Sequence, residues 1–178
     1  GRMICSVGEN GNIEFARAWA CQFFIDPRIV STAKQFQLNK VCLDIDGPSS
    51  TAICSFRLRL QVRIYRVRGD NVPSKLDDLL AQETVVVLGS GIATCSFDGM
   101  DAISHRYKAK YWLVVQPQFV SLTGDDVLGA QWYWRYASLS SDAKNPVIAH
   151  STLLNPENVD PTDLLESSST KFIPNRKG

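Results

Sequence analysis

Apolar and polar side chains alternate along much of the chain, the two-residue period of a strand with one face in a core and the other in water. The clearest stretch runs from Phe56 to Val67. Phe56, Leu58, Leu60, Val62 and Ile64 share one parity, and Arg57, Arg59, Gln61, Arg63 and Tyr65 the other. A helix with this spacing would scatter the arginines around its circumference. Ile13 to Ile25 places Ile13, Phe15, Trp19, Cys21, Phe23 and Ile25 on one face, interrupted by Arg17, which predicts one long strand or two broken ones. Phe36 to Asp46 alternates through Leu38, Val41, Leu43 and Ile45 with a slip near Asn39-Lys40, where a bulge would fit. Glu83 to Leu88 and Ile92 to Phe97 flank Gly89-Ser90-Gly91, which reads as a hairpin turn. Ala109 to Gln116, Phe119 to Leu122, Gln131 to Ala137 and Val147 to Leu153 complete the predicted strands.

One short helix fits the pattern, with Ser74 as N-cap, Asp77 three residues on, and Leu76, Leu79 and Leu80 on a common face. Turn residues separate the strands at Asp46-Gly47-Pro48, Arg68-Gly69-Asp70-Asn71, Thr123-Gly124-Asp125-Asp126 and Lys144-Asn145-Pro146. The expected fold is all-β: an antiparallel β-sandwich of jelly-roll type with one short helix, forming a single domain over residues 1–154. Residues 155–178 carry Ser167-Ser168-Ser169-Thr170 and no periodicity, and read as a poorly ordered tail or linker.

Composition narrows the classes. The 178 residues are 44% hydrophobic and 21% charged, enough for one well-packed domain. Nineteen Lys and Arg against eighteen Asp and Glu leave a net charge of +1, so nucleic acid is not expected as a partner on charge grounds. The densest apolar run, Tyr111 to Val115, is strand length, and membrane insertion through a helix is not expected. Gly1-Arg2-Met3 reads as an expression scar, so that a leader or upstream domain would have been cut away. The five cysteines, Cys5, Cys21, Cys42, Cys54 and Cys95, show no CxxC spacing and, with two histidines, form no zinc pattern. They fit free, partly buried thiols, or one or two disulfides in a secreted chain.

Catalytic signals are thin. His105 and His150 lack a nucleophile elbow, and neither GxxxxGK[ST] nor GxGxxG occurs, so an enzyme is not expected. Asp44 and Asp46 alternate on one strand face before Gly47 and are the weak metal candidates, either turn-forming or ligands of a structural calcium ion. No other cofactor is expected. Arg57, Arg59 and Arg63 form a basic outer face, either neutralised across strands by carboxylates such as Asp44 and Asp46 or free to meet an anionic ligand. Gln131, Trp132, Tyr133, Trp134 and Arg135 form the main ligand candidate. Alternation puts Trp132 and Trp134 on one face, either as core or as a flat platform for a sugar ring, and Tyr133 with Arg135 on the other.

An ordered set of motifs carries a resemblance. Cys21-Gln22-Phe23-Phe24 is followed by Leu38-Asn39-Lys40-Val41-Cys42-Leu43-Asp44-Ile45, Val62-Arg63-Ile64-Tyr65, Asn71-Val72-Pro73-Ser74-Lys75-Leu76, Tyr111-Trp112-Leu113-Val114-Val115 and Trp132. From about Trp19 to Tyr136 this resembles the bacterial extracellular "choice-of-anchor" β-sandwich domain, similar in shape to carbohydrate-binding modules. The five cysteines, the arginine-rich strand and the lack of a sorting signal depart from that pattern. The resemblance implies a sandwich placed outside the cell or on its surface, and transfers no site. The first functional expectation is therefore a non-catalytic extracellular binding or adhesion module recognising glycan or protein. The alternative is a structural or assembly protein, such as a virion jelly roll, fibre tip or surface-layer subunit, which would form a homo-oligomer.

Overall fold

A computed structural model describes residues 1–8, 13–24, 35–36, 38–48, 55–67, 79–97, 103–104, 110–123, 130–135, 148–151 and 172–174. Among them the chain is all-β and every strand pairing is antiparallel. The strands are β1 (Arg2–Val7), β2 (Ile13–Ala16), β3 (Trp19–Phe24), β4 (Gln35–Phe36), β5 (Lys40–Asp46), β6 (Ser55–Arg66), β7 (Leu79–Leu88), β8 (Gly91–Ser96), β9 (Ile103–Ser104), β10 (Lys110–Thr123), β11 (Gln131–Arg135), β12 (Ile148–Ser151) and β13 (Phe172–Pro174). The first sheet has the order β2-β1-β11-β5-β8 and the second β13-β12-β3-β10-β6-β7, with β4-β9 as a separate pair.

The alternation dictates how the sheets meet. Leu58, Leu60, Val62 and Ile64 of β6 are wholly buried and join Tyr111 and Val115 of β10 and Trp19 of β3. Ile4 and Cys5 of β1, Leu43 and Ile45 of β5, Ala93 and Cys95 of β8 and Trp132 and Trp134 of β11 close the same cluster from the first sheet. Each fully buried aliphatic side chain of this kind contributes roughly 1.5–3 kcal/mol, so β6 alone anchors the sandwich through four of them.

Several breaks in the pattern have structural causes. Arg17 marks the point where the chain leaves β2 in the first sheet and enters β3 in the second, and its N–H donates to the Ile4 carbonyl at 2.9 Å. The slip near Asn39 separates β4 from β5, and Phe97 N–H donates to the Asn39 carbonyl at 2.8 Å. The two apolar runs expected on either side of Gln118 are one strand, β10, whose register with β6 shifts between Pro117 and Phe119. Gly89-Ser90 does not close a hairpin: β7 pairs with β6 and β8 with β5, so this corner carries the chain from one sheet to the other. Gly89 and Gly91 hold φ of 73° and 145°, which suits residues without a Cβ. Ser90 Oγ donates to the Ile45 carbonyl at 3.2 Å and fastens the corner to β5.

Of the expected helix, Leu79 and Leu80 are instead the first residues of β7, and Ser74 to Asp78 lie outside the described residues. In the stretch read as a tail, Phe172–Pro174 pairs with β12 at the edge of the second sheet; the rest of 155–178 lies outside the described residues.

Candidate functional site

Two sheet faces point away from the shared core, and the candidate residues divide between them. On the first sheet, β11 runs between β1 and β5. Its pleat turns Trp132 (0% exposed) and Trp134 (9%) into the core. Neither indole is available as a sugar platform. Gln131 and Arg135 are exposed and Tyr133 half-buried on the opposite parity. Tyr133 Oη donates to Gln131 Oε1 at 2.7 Å. Arg135 Nη2 lies 3.0 Å from Asp46 Oδ2, and this hydrogen bond and charge hold the guanidinium pKa above its ordinary value.

Asp44 is exposed and sits across from Ile92 and Arg135, and Asp46 across from Tyr133. The Asp46 charge is thus met by Arg135. Among the described residues, no three His, Cys, Asp or Glu side chains gather in a metal-holding group. Both aspartates belong to the first sheet, so the expectation that they neutralise the arginines of β6 across strands is corrected: β6 lies in the second sheet.

The expected basic strip is also corrected. Arg57 and Arg59 are exposed, opposite Leu88 and Val86 of β7, but Arg63 is buried. Around Arg63 the outer face of the second sheet carries a second buried cluster of Ala20, Tyr65, Trp112 and Val114, with Val67, Leu79 and Phe172 packed against it. Gln61 and Gln116 are buried on it as well. Sequence reasoning missed this group. Its signal was the unbroken apolar run Tyr111 to Val115, since a strand apolar on both parities is covered on both faces.

At the open edge, β7 ends the second sheet and β8 the first among the described residues. Val86 (50% exposed), Leu88 (64%) and Ile92 (66%) flank the corner that joins them. Four described cysteines, Cys5, Cys21, Cys42 and Cys95, are free thiols, and Cys54 lies outside the described residues. Burial pushes Cys5 up to about 12 and Cys21 to about 11. Cys95 rises to about 11 through burial and the charge of Glu83. These thiols are poor nucleophiles at neutral pH. No known protein family, curated protein or solved structure matches the chain.

Proposed function

We propose that the chain is a non-catalytic jelly-roll module that works through protein–protein contact, as a structural or assembly subunit. The strand order carries this reading. Eight strands fall into β1-β11-β5-β8 and β3-β10-β6-β7, an order that fits two Greek keys wrapped into facing four-stranded sheets and supports the jelly-roll reading. β2, β12 and β13 extend the edges. Jelly rolls serve both capsid subunits and lectins, and the fold alone does not choose between them. The surface favours assembly: the two indoles of β11 are core, while apolar side chains are exposed at the β7–β8 corner.

Among the described residues β7 is the ten-residue edge strand of the second sheet, and its outward residues toward the corner are Thr84, Val86 and Leu88. A long edge without outward charge is a template for pairing with another chain. A second copy, joined through this edge and the Ile92 side of the corner, is the occupant the reading commits to. Sedimentation velocity across a wide concentration range tests it, with Val86→Lys/Leu88→Lys as the comparison. Self-association that the double variant abolishes, with its circular dichroism unchanged, supports the reading. A wild-type monomer throughout overturns it.

A second reading rests on the exposed row of Gln131, Tyr133 and Arg135, which offers one ring edge and directed polar groups to a glycan or protein ligand. Extracellular placement belongs with that reading. Binding on a glycan array that Tyr133→Ala abolishes would favour it over assembly.

A further inference from the structure

On the outer face of the second sheet a guanidinium is buried, and among the described residues its neighbours are neutral. Arg63 is 2% exposed. Its Nη1 donates to Tyr65 Oη at 2.8 Å and its Nη2 to Gln116 Oε1, while the Tyr65 ring centre lies 5.8 Å from the guanidinium carbon. Its cross-strand neighbours are Val114 and Gln82. None of these groups carries negative charge. Arginine does not shed its proton in a protein, and an uncompensated buried ion costs several kcal/mol.

The polar groups around it are also incompletely used. Arg63 Nε, Trp112 Nε1 and Gln116 Nε2 are buried donors without an acceptor, and Gln61 Oε1 and Gln82 Oε1 are buried acceptors without a donor. Strand register sets them in neighbouring rows. Trp112 lies across from Tyr65, Val114 from Arg63, and Gln116 from Gln61. Ala20 and Val114 share the Arg63 row on one side and Gln82 on the other, so no neighbour in that row is acidic. Water satisfies orphaned donors in many interiors, but it does not supply the missing charge.

We infer that this face binds an oxyanion, a carboxylate or phosphate group. Arg63 supplies the charge. Its Nε and the free donors of Trp112 and Gln116 in the adjacent rows supply charge-assisted hydrogen bonds of the kind that favour oxyanions. The two glutamine acceptors suit a hydroxyl on the same ligand. The inference does not depend on the assembly reading, because it uses the Arg63 row and not the end of that face where Val86 and Leu88 lie.

Thermal unfolding with inorganic phosphate or acetate, at ionic strength held constant with sodium chloride, tests this and separates the two anion types. A saturable rise in Tm of about 5 °C with one of them, absent in Arg63→Met, is the expected result. In anion-free buffer Arg63→Met is expected to be at least as stable as the parent, since it removes a charge that no described residue balances. No rise beyond the chloride control, or a rise that persists in Arg63→Met, overturns the inference. If that variant does not fold, the Arg63 Nε–H resonance of the parent protein decides: it shifts with saturating anion, or the inference fails.

Discussion

A Cβ at position 47 would meet the core at its tightest point. Built on Gly47, it would lie 2.6 Å from Trp132 Cδ1, 2.7 Å from Trp132 Nε1 and 2.8 Å from the Gly89 carbonyl oxygen, against an ordinary contact of 3.4–4 Å. The indole is fully buried and cannot swing into solvent. The carbonyl belongs to the corner that joins the two sheets, so relief by moving it disturbs β7 and β8 together. Overpacking of this kind costs about 1–3 kcal/mol. Losing a glycine's unfolded-state freedom returns about 0.4–1 kcal/mol. Gly47→Ala is therefore expected to destabilise by about 1–2 kcal/mol net. With a urea slope of about 2 kcal/mol/M, the unfolding midpoint followed by tryptophan fluorescence drops by roughly 0.5–1 M. In a Trp132→Phe background the smaller ring relieves part of the clash, so the alanine costs less by about 0.5 kcal/mol or more. The Gly89 oxygen remains in both backgrounds, so the cost does not vanish. A midpoint equal to or above the parent's would refute the packing described at this corner.

The free thiols give a pH prediction: their folded pKa values, about 11–12, lie above the ordinary 9.0. Their stabilisation is fully present below pH 9 and is lost as pH rises toward 11–12, so urea midpoints fall over that window. At pH 8 a thiol reagent should label exposed Cys42 quickly, and Cys5 and Cys95 only on unfolding. Protection of Cys42 comparable to that of Cys5 would contradict the burial pattern. The His150 ring lies 5.3 Å from the Trp19 ring in a tilted contact, and burial with the charges of Arg17 and Arg2 lowers its pKa. Its contribution is present above pH 6.5 and is lost as pH falls through the depressed folded value. His150→Asn is expected to flatten the acid limb of a stability–pH curve, and an unchanged limb would count against it. The Arg135–Asp46 pair is exposed and screened, so Arg135→Ala should leave the urea midpoint close to the parent's, and a large drop would contradict that exposure.

Alternation made the two-sheet architecture legible, because core-facing residues such as Leu58, Leu60, Val62 and Ile64 keep strict parity. It also identified β11 and its two possible faces, but not which one the indoles take; that depends on β1 and β5 flanking the strand. Local punctuation misled where tertiary pairing decided. Gly89-Ser90-Gly91 looks like a hairpin because both flanks alternate, yet each flank finds a different partner strand. The leucines at 79 and 80 fit a helix by spacing, but β6 pairs Leu79 with Tyr65 and draws them into β7. The parity of Arg63 matches that of Arg57 and Arg59 and on its own predicts a solvated side chain. What sets it apart is the apolar run on β10 opposite it, a neighbour more than fifty residues away.

The place of β11 has a kinetic consequence. This strand lies between β1 and β5, pairing residue 2 with residue 134 and residue 44 with residue 135. β1 therefore leaves the ribosome long before the strand that completes its sheet exists. The second sheet can begin from β6 and β7, whose register needs only nearby sequence, while the first must wait. Folding dominated by such distant pairings runs on the millisecond-to-second scale, with unpaired strand edges exposed meanwhile. A chain ending before Gln131 would leave β1 and β5 without the strand that joins them, so its synthesis is expected to yield aggregate rather than a smaller domain.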